Sequence, residues 1–215
     1  MEKMKEKPAI SKATTKRLSL YLRCLKELNA KNITRIKSSE LANLTQVGSA
    51  TIRRDFSHFG ELGRSGYGYN VKDLITVFSG ILDTKEEKKI ALIGVGNLGQ
   101  ALLKNNFRRN DNLNIVCAFD NDPNKIGQII DGFLVHDLSE LPEVFVKENI
   151  QVAISTVPSR YAQEAIDIVV KNGVTAILNF APDPLNVPEN VNIRYIDLTS
   201  ELQSLIYFDE MVNPS

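Results

Sequence analysis

The sequence predicts an α/β chain in two parts. A helical N-terminal part closes on a small hairpin, and a C-terminal part is built on a parallel sheet. Three observations predict this. From Ile90 onward, short β-branched runs alternate with helical stretches, the pattern of a parallel sheet with right-handed crossovers and helices on both faces. Before Ile90, apolar residues recur at helical spacing instead. Charge divides along nearly the same line. Residues 1–80 carry 15 Lys and Arg against 7 Asp and Glu, a net of +8; residues 81–215 carry 11 against 19, a net of −8. A basic part joined to an acidic one implies that the first meets a polyanion and the second does not.

The elements follow in order. Leu18, Leu22, Leu25 and Leu28, with Tyr21, lie on one side of a helix of about five turns that Thr14 or Thr15 caps. Ser38 or Ser39 caps a short helix to about Leu44, and Gln46-Val47-Gly48 makes a turn. Ser49 caps a second helix from Ala50 to about Phe59, and Gly60 ends it. Gly60, Gly63, Gly66 and Gly68, with Tyr67 and Tyr69 alternating beside them, predict a tight hairpin. Asn70 caps a helix carrying Leu74, Val77, Phe78 and Ile81. The charged stretch 83–89 is the expected linker, dividing a domain over 1–82 from one over 90–198. Strands are predicted at 90–95, 114–119, 133–135, 151–156, 175–180 and 192–196, and helices at 97–108, 137–148 and 159–172. A last helix over 199–215 aligns Leu202, Leu205, Ile206, Phe208 and Met211.

Composition excludes several classes. No apolar run approaches the ~20 residues of a membrane span, and the charged N-terminus is no secretory signal. Cys24 and Cys117 alone make no disulfide framework, and with only His58 and His136 no metal site is expected. These features predict a cytoplasmic protein without a metal or a membrane partner.

Gly94-Val95-Gly96-Asn97-Leu98-Gly99 is a GxGxxG turn that follows a predicted strand and opens a helix. Gly94 permits the tight turn, Gly96 lets backbone approach a pyrophosphate, and Gly99 lets helix and strand pack closely. The helix N-terminus offers free N–H groups to phosphate. The next strand ends at Asp120, placed to accept from a ribose diol and to repel a 2′-phosphate. The pattern therefore predicts a Rossmann domain that prefers NADH and NAD+ over their phosphorylated forms; coenzyme A or a bare adenine nucleotide at the same turn is the alternative. Loops at the strand ends, Thr156-Val157-Pro158 and Asn179-Phe180-Ala181-Pro182, should complete the site, with Phe180 suited to a nicotinamide face. His136 and Tyr161 are candidate proton donors without an evident partner, so no catalytic residue is expected. An NAD-dependent oxidoreductase with an accessory basic domain stays one alternative class, and a DNA-binding regulator of another ligand, such as CoA or a sugar phosphate, is the other.

Residues 38–59 predict a helix-turn-helix, with Ala42 small at the helix crossing, and the hairpin after it has the look of a wing. Ser49, Thr51, Arg53, Arg54, Ser57 and His58 on the second helix are placed for base edges, since arginine binds guanine in bidentate fashion. Arg64 and Tyr67 of the hairpin are placed for the minor groove or phosphates. Lys12, Lys16 and Arg17 are expected on backbone phosphate. Asp55 is expected to fix an arginine rotamer.

The stretches SATIRRDFSHFGELGRSGYGYNV, IALIGVGNLGQALL, STVPS, ILNFAP and RYIDLTSELQSLIYF resemble the bacterial redox-sensing repressor family Rex, from about Ser11 to Phe208. ATIRRDF alone also resembles DeoR-type repressors, whose longer sugar-phosphate domain is missing here. The resemblance implies a winged helix joined to a Rossmann domain and a homodimer with a domain-swapped C-terminal helix. It further implies a palindromic double-stranded operator that NADH releases and NAD+ does not. It implies a switch in which Arg23 and Asp197 exchange contacts with a tyrosine; Asn105 stands at that tyrosine's place.

Overall fold

The computed structural model describes residues 10–64, 67–82, 86–106 and 112–212. The chain divides into two compact units, Met1–Glu86 and Glu87–Ser215. Among the described residues no helix is long and apolar enough to cross a membrane.

In the first unit, helix α1 (Lys12–Ala30) is capped by Ser11, whose hydroxyl accepts the Thr14 N–H at 3.1 Å, rather than by Thr14 or Thr15. Thr14 instead turns inward with the leucine face. Helix α2 (Ser38–Thr45) starts after Lys37, whose N–H donates to Glu40 Oε2 at 2.7 Å, so neither Ser38 nor Ser39 is the cap. Helix α3 (Ser49–Ser57) starts after Gly48 and stops short of Phe59. Between α2 and α3 the left-handed residue is Gln46, at φ 54°, while Gly48 has an ordinary φ of −55°. Helix α4 (Val71–Ile81) is capped as expected: Asn70 Oδ1 accepts the N–H groups of Lys72 and Asp73.

Strands β1 (Arg35–Ile36), β2 (Gly63–Arg64) and β3 (Gly68–Asn70) form an antiparallel sheet in the order β1-β3-β2. Two residues carry no readable alternation, so β1 has no sequence signature. Ser65 and Gly66, and the side chain of Arg64, lie outside the described residues. Phe56 organises the core. Its ring meets Tyr21 edge-on at 5.5 Å, Tyr69 at 4.9 Å and Phe78 at 5.1 Å. Leu18, Leu25, Leu41, Ile52 and Leu74 are sealed around it, each contributing about 1.5–3 kcal/mol by leaving water.

The second unit holds a seven-stranded sheet. Its strands are β4 (Lys88–Ile93), β5 (Leu113–Asp120), β6 (Ile129–Ile130), β7 (Phe133–Asp137), β8 (Val152–Ser155), β9 (Ala176–Asn179) and β10 (Asn192–Tyr195). The order is β10-β9-β8-β4-β5-β7-β6, parallel throughout except for β6, which pairs antiparallel to β7. Lys88 and Lys89, expected in the linker, belong to β4. They pair with Leu113 and Asn114, and Lys89 Nζ reaches Glu148 at 3.0 Å. Residues 83–85 of that linker lie outside the described residues.

Period-two alternation splits the core. Ala91 and Ile93 join the cluster beneath α6 (Leu141–Glu148) and α7 (Ser159–Lys171), whereas Ile90 and Leu92 join the cluster beneath α5 (Asn97–Asn105). The helix expected from residue 137 starts as a 3-10 turn (Leu138–Glu140), capped by Asp137, before α6. Cys117 is buried in the first cluster, and burial pushes its thiol up to about 12, so it is inert at neutral pH. Helix α8 (Leu198–Val212) presents Leu198, Leu202, Leu205, Ile206, Tyr207 and Phe208, each more than half exposed. The side chain of Met211 lies outside the described residues.

Candidate functional site

The β4–α5 turn builds the first site. Gly94 turns at φ +92°, in the left-handed region that glycine enters freely. Thr156 Oγ1 donates to its carbonyl at 2.7 Å, which ties the end of β8 to the turn. Gly99 packs so closely under that carbonyl that a Cβ there would run into Gly94 O. Gly96 is the opposite case: a Cβ would meet nothing within 4 Å. The backbone at Gly96 thus faces open ground, where a pyrophosphate would lie against the N-terminus of α5.

Asp120, 7 % exposed, stands beside this turn. Its Oδ2 accepts the Val95 N–H at 2.7 Å and Lys125 Nζ at 3.1 Å; its Oδ1 accepts the Asp122 N–H at 2.9 Å. Burial pushes the carboxyl up, but these donors outweigh it and hold the pKa below the usual carboxylate range. A carboxylate has roughly four acceptor positions, so Oδ1 keeps one for a ribose hydroxyl. An ionised Asp120 also repels a 2′-phosphate.

A cleft of about 620 Å³ opens here. Of the residues expected to hold a nucleotide, Gly94, Gly96, Asn97, Leu98, Asp120, Thr156, Val157 and Pro158 line it. Val95 and Gly99 are buried below it. Asn179, Phe180, Ala181 and Pro182 do not line it. The Asn179 side chain closes on its own loop, with Nδ2 donating to Ala181 O at 3.1 Å and Oδ1 accepting the Ala181 N–H. Phe180 packs on the α5-side cluster. Sequence reasoning missed Lys125, Leu138, Glu164, Ala165 and Ile168, which also line the cleft. The spacing of Tyr161, Glu164, Ala165 and Ile168, one helix face, is the signal that finds most of them. His136 Nδ1 is held 3.0 Å from Glu140 Oε2, and its ring lies against Phe119.

The second site lies on α3. Ile52, Asp55 and Phe56 point inward, while Arg53, Arg54, Ser57 and His58 are exposed and Ser49 and Thr51 are half-buried. Arg53 donates to Ser38 Oγ at 3.3 Å, and the Ser57 hydroxyl donates to Arg54 O at 2.7 Å. Lys12 and Lys16 are exposed.

Arg17 corrects the expectation of a phosphate contact. Its Nε donates to Asp55 Oδ2 at 2.6 Å and its Nη2 to Oδ1 at 2.7 Å. Tyr21 OH and Thr14 Oγ1 donate to the same carboxylate at 2.9 and 3.3 Å. The guanidinium is thus spent on anchoring α3 to α1. Burial raises the pKa of Asp55, but the bonds from Arg17 and Tyr21 outweigh it and the net shift is downward. Arg35, unmarked in the sequence, donates to Tyr67 O at 3.4 Å, and its guanidinium carbon lies 6.0 Å from the Tyr67 ring. Tyr67 itself is 73 % exposed.

The three expected switch residues stand on different elements of the two units. Arg23 is exposed on α1, and Asn105 is the exposed last residue of α5. Asp197 precedes α8, where the Ser200 hydroxyl donates to it at 2.6 Å and the Thr199 N–H at 2.9 Å. These bonds, the Ser200 hydroxyl first, lower its pKa.

Comparison with known proteins gives the following. Residues 85–183 match a family described as "CoA binding domain", and residues 9–57 match one described as "Putative DNA-binding protein N-terminus". Redox-sensing transcriptional repressor Rex 2 of Enterococcus faecalis is 67% identical over 199 residues, 93% of each chain. The crystal structure of RSP in complex with beta-NAD+ and operator DNA superposes with a TM-score of 0.86 at 32% identity, covering 94% of both chains. The crystal structure of RSP in complex with beta-NADH gives 0.83 at 31% identity, covering 94% of this chain and 95% of that one.

Proposed function

The chain belongs to the Rex family of redox-sensing transcriptional repressors, and on that premise we propose that its second unit senses NADH while its first holds operator DNA. It is a regulator of transcription rather than an enzyme. The observation that carries the assignment of the ligand is the β4–α5 turn, open over Gly96 and flanked by Asp120. Gly94, Gly96 and the α5 N-terminus take the pyrophosphate, and Asp120 takes the adenosine ribose. On α3, Arg53, Arg54 and His58 face the major groove, with Ser49 and Thr51 at the N-terminal end. Lys12 and Lys16 hold phosphate, and Arg64 and Tyr67 carry the wing.

The active form is a homodimer joined through α8. Its six exposed apolar side chains need a cover, and a two-fold dimer puts one recognition helix on each half of a palindrome. A chain ending at Asp197 is expected to sediment as a monomer and to lose operator binding; a dimer of that truncated chain would overturn the assignment of α8. Cytoplasm is its place, where chromosome and nucleotide pool meet.

NADH releases the operator only if it binds the DNA-incompetent arrangement more tightly, since equal binding shifts nothing. A coupling of about 1–3 kcal/mol changes operator affinity about 5–150-fold, and operator DNA weakens NADH by the same factor. Arg23 and Asp197 carry the switch, with Asn105 in the third place. Asp197→Asn keeps a capping oxygen for α8 while removing the charge. It is expected to leave NADH and operator affinities separately near wild type and to shrink their coupling. Operator binding measured by anisotropy with and without NADH, and the reverse titration, tests the whole reading. NADH that binds without weakening the operator would overturn it.

A further inference from the structure

We infer that Asn106, Asn114 and Glu87 are positioning residues of the switch: they form the link by which helix α5, loaded with NADH at its N-terminus, acts on the chain that enters the second unit from the first. This rests on the reading of the β4–α5 turn as the NADH site. Helix α5 is nine residues long, about 13 Å, and its two ends have different tasks. The N-terminus faces the pyrophosphate. At the C-terminus Asn106 ends the helix in the left-handed region, at φ 33° and ψ 47°, with its N–H donating to Leu102 O at 2.7 Å. Asparagine is among the few residues with a side chain that enter this region readily. Its amide does more than end the helix. Oδ1 accepts the Ile115 N–H at 2.7 Å and Nδ2 donates to Ile115 O at 3.2 Å, so the half-buried side chain grips both main-chain groups of one β5 residue. The end of the helix and the start of the strand are thereby joined.

The polarity of the next bonds follows from the first. A main-chain N–H only donates, so Asn106 must turn Oδ1 toward the Ile115 N–H, and its two Nδ2 hydrogens then need acceptors. One goes to Ile115 O and the other to Asn114 Oδ1 at 2.8 Å. Asn114 has thereby committed its oxygen, and its own Nδ2 donates to Glu87 Oε1 at 2.9 Å. Glu87 is the first residue of the second unit. It directly precedes β4, whose first residue, Lys88, donates its N–H to Asn112 O at 2.7 Å. The series of bonds thus runs from the end of α5 to the place where the chain arrives from the DNA-binding unit, and each amide in it admits one orientation. All three residues lie outside the switch that the family resemblance implies. NADH chooses between an arrangement that holds the operator and one that releases it. A rigid helix joined to the incoming chain by a directed set of hydrogen bonds gives NADH a physical means of biasing that choice.

Breaking the link should leave both sites whole and weaken their coupling. The test uses the full-length protein. It reads operator affinity by anisotropy with and without NADH, and NADH affinity by fluorescence with and without operator. For Asn114→Ala, each affinity measured without the other ligand is expected within about twofold of wild type, while the coupling factor falls about fivefold. Glu87→Ala should match it. Glu87→Gln keeps the accepting oxygen and should keep wild-type coupling, which separates the bond from the charge. Asn106→Gly keeps the left-handed end of α5, since glycine enters that region freely, and should uncouple the sites as well. Where its thermal melt shows a loosened fold, Asn114→Ala and Glu87→Ala decide the matter. A coupling factor of wild-type size in Asn114→Ala overturns the link, as does an equal loss in Glu87→Gln and Glu87→Ala. Weakened affinities at both sites with unchanged coupling overturn it too, for the amides then only hold the fold. A wild-type protein whose operator affinity ignores NADH overturns the sensor reading and the link together.

Discussion

Gly99→Ala is expected to leave a repressor that holds its operator and no longer responds to NADH. The added methyl would run into the carbonyl of Gly94 and stand 3.1 Å from Thr156 Oγ1. Backbone cannot yield there, because Gly94 N–H donates to Phe119 O at 2.8 Å and its carbonyl accepts from Thr156. Helix α5 must therefore back away from β4, which turns its free N–H groups off the phosphate position. Overpacking of this kind costs about 1–3 kcal/mol of stability in the second unit. NADH affinity should fall about 100-fold, equivalent to about 2.8 kcal/mol. Fluorescence titration reads the affinity, and operator anisotropy at saturating wild-type NADH reads the lost release. Gly96→Ala separates the two consequences. Its methyl enters open space, so thermal stability should stay within about 0.5 kcal/mol of wild type. NADH should still weaken, because the methyl occupies the approach to the pyrophosphate. A Gly99→Ala protein with wild-type NADH affinity would mean that the ligand does not lie over this turn.

Long elements with a clear period were legible in the sequence, and short or polar ones were not. Strand β4 and its successor β5 announce themselves through runs of β-branched and apolar residues. Leu18 to Leu28 do the same for α1, and Asn70 marks the start of α4 through a side chain that only a cap explains. By contrast β1 and β6 are two residues each, too short for alternation, and they exist because a neighbouring strand offers its edge. Lys88 and Lys89 read as linker because charge masks a strand end whose pairing is set by β5. The same division runs through the sites. The glycine turn and Asp120 were visible because backbone approach and ribose recognition demand those residue types at that spacing. The α7 wall at Ala165 and Ile168 was hidden, since apolar residues on a helix read equally as core. The role of Asn179 and Phe180 was not legible, because position at a strand end does not say whether a side chain turns to a ligand, closes its own loop as Asn179 does, or packs on the core as Phe180 does.

Arg17 and Asp55 carry the second large prediction, and the distances separate two roles that the sequence left joined. An arginine that contacts DNA phosphate adds to the counterion release on binding, with a slope of about −0.9 in log affinity against log salt for each phosphate neutralised. An arginine spent on Asp55 adds nothing to that slope. Arg17→Met is thus expected to weaken operator binding while leaving the salt slope unchanged, whereas Lys16→Met should flatten it by about 0.9. A slope that falls with Arg17→Met would return Arg17 to the phosphate contacts. Stability carries the other half of the effect. Asp55 is 2 % exposed and Arg17 28 %, so truncating Asp55 to alanine strands the buried Tyr21 hydroxyl and should destabilise the first unit by about 3 kcal/mol, near the lower end for a broken buried pair. The double variant Arg17→Met with Asp55→Ala should cost less than the sum of the two single changes, since neither charge is left without its partner. The pH dependence has a definite sign. The folded state holds the Asp55 carboxyl below its unfolded value of about 3.9. Its contribution is therefore fully present above that value and is lost as pH falls through the folded pKa. Thermal melts from neutral pH downward should show wild type losing more stability in acid than Asp55→Ala does. Parallel loss in both would mean that the carboxylate is not what binds α3 to α1.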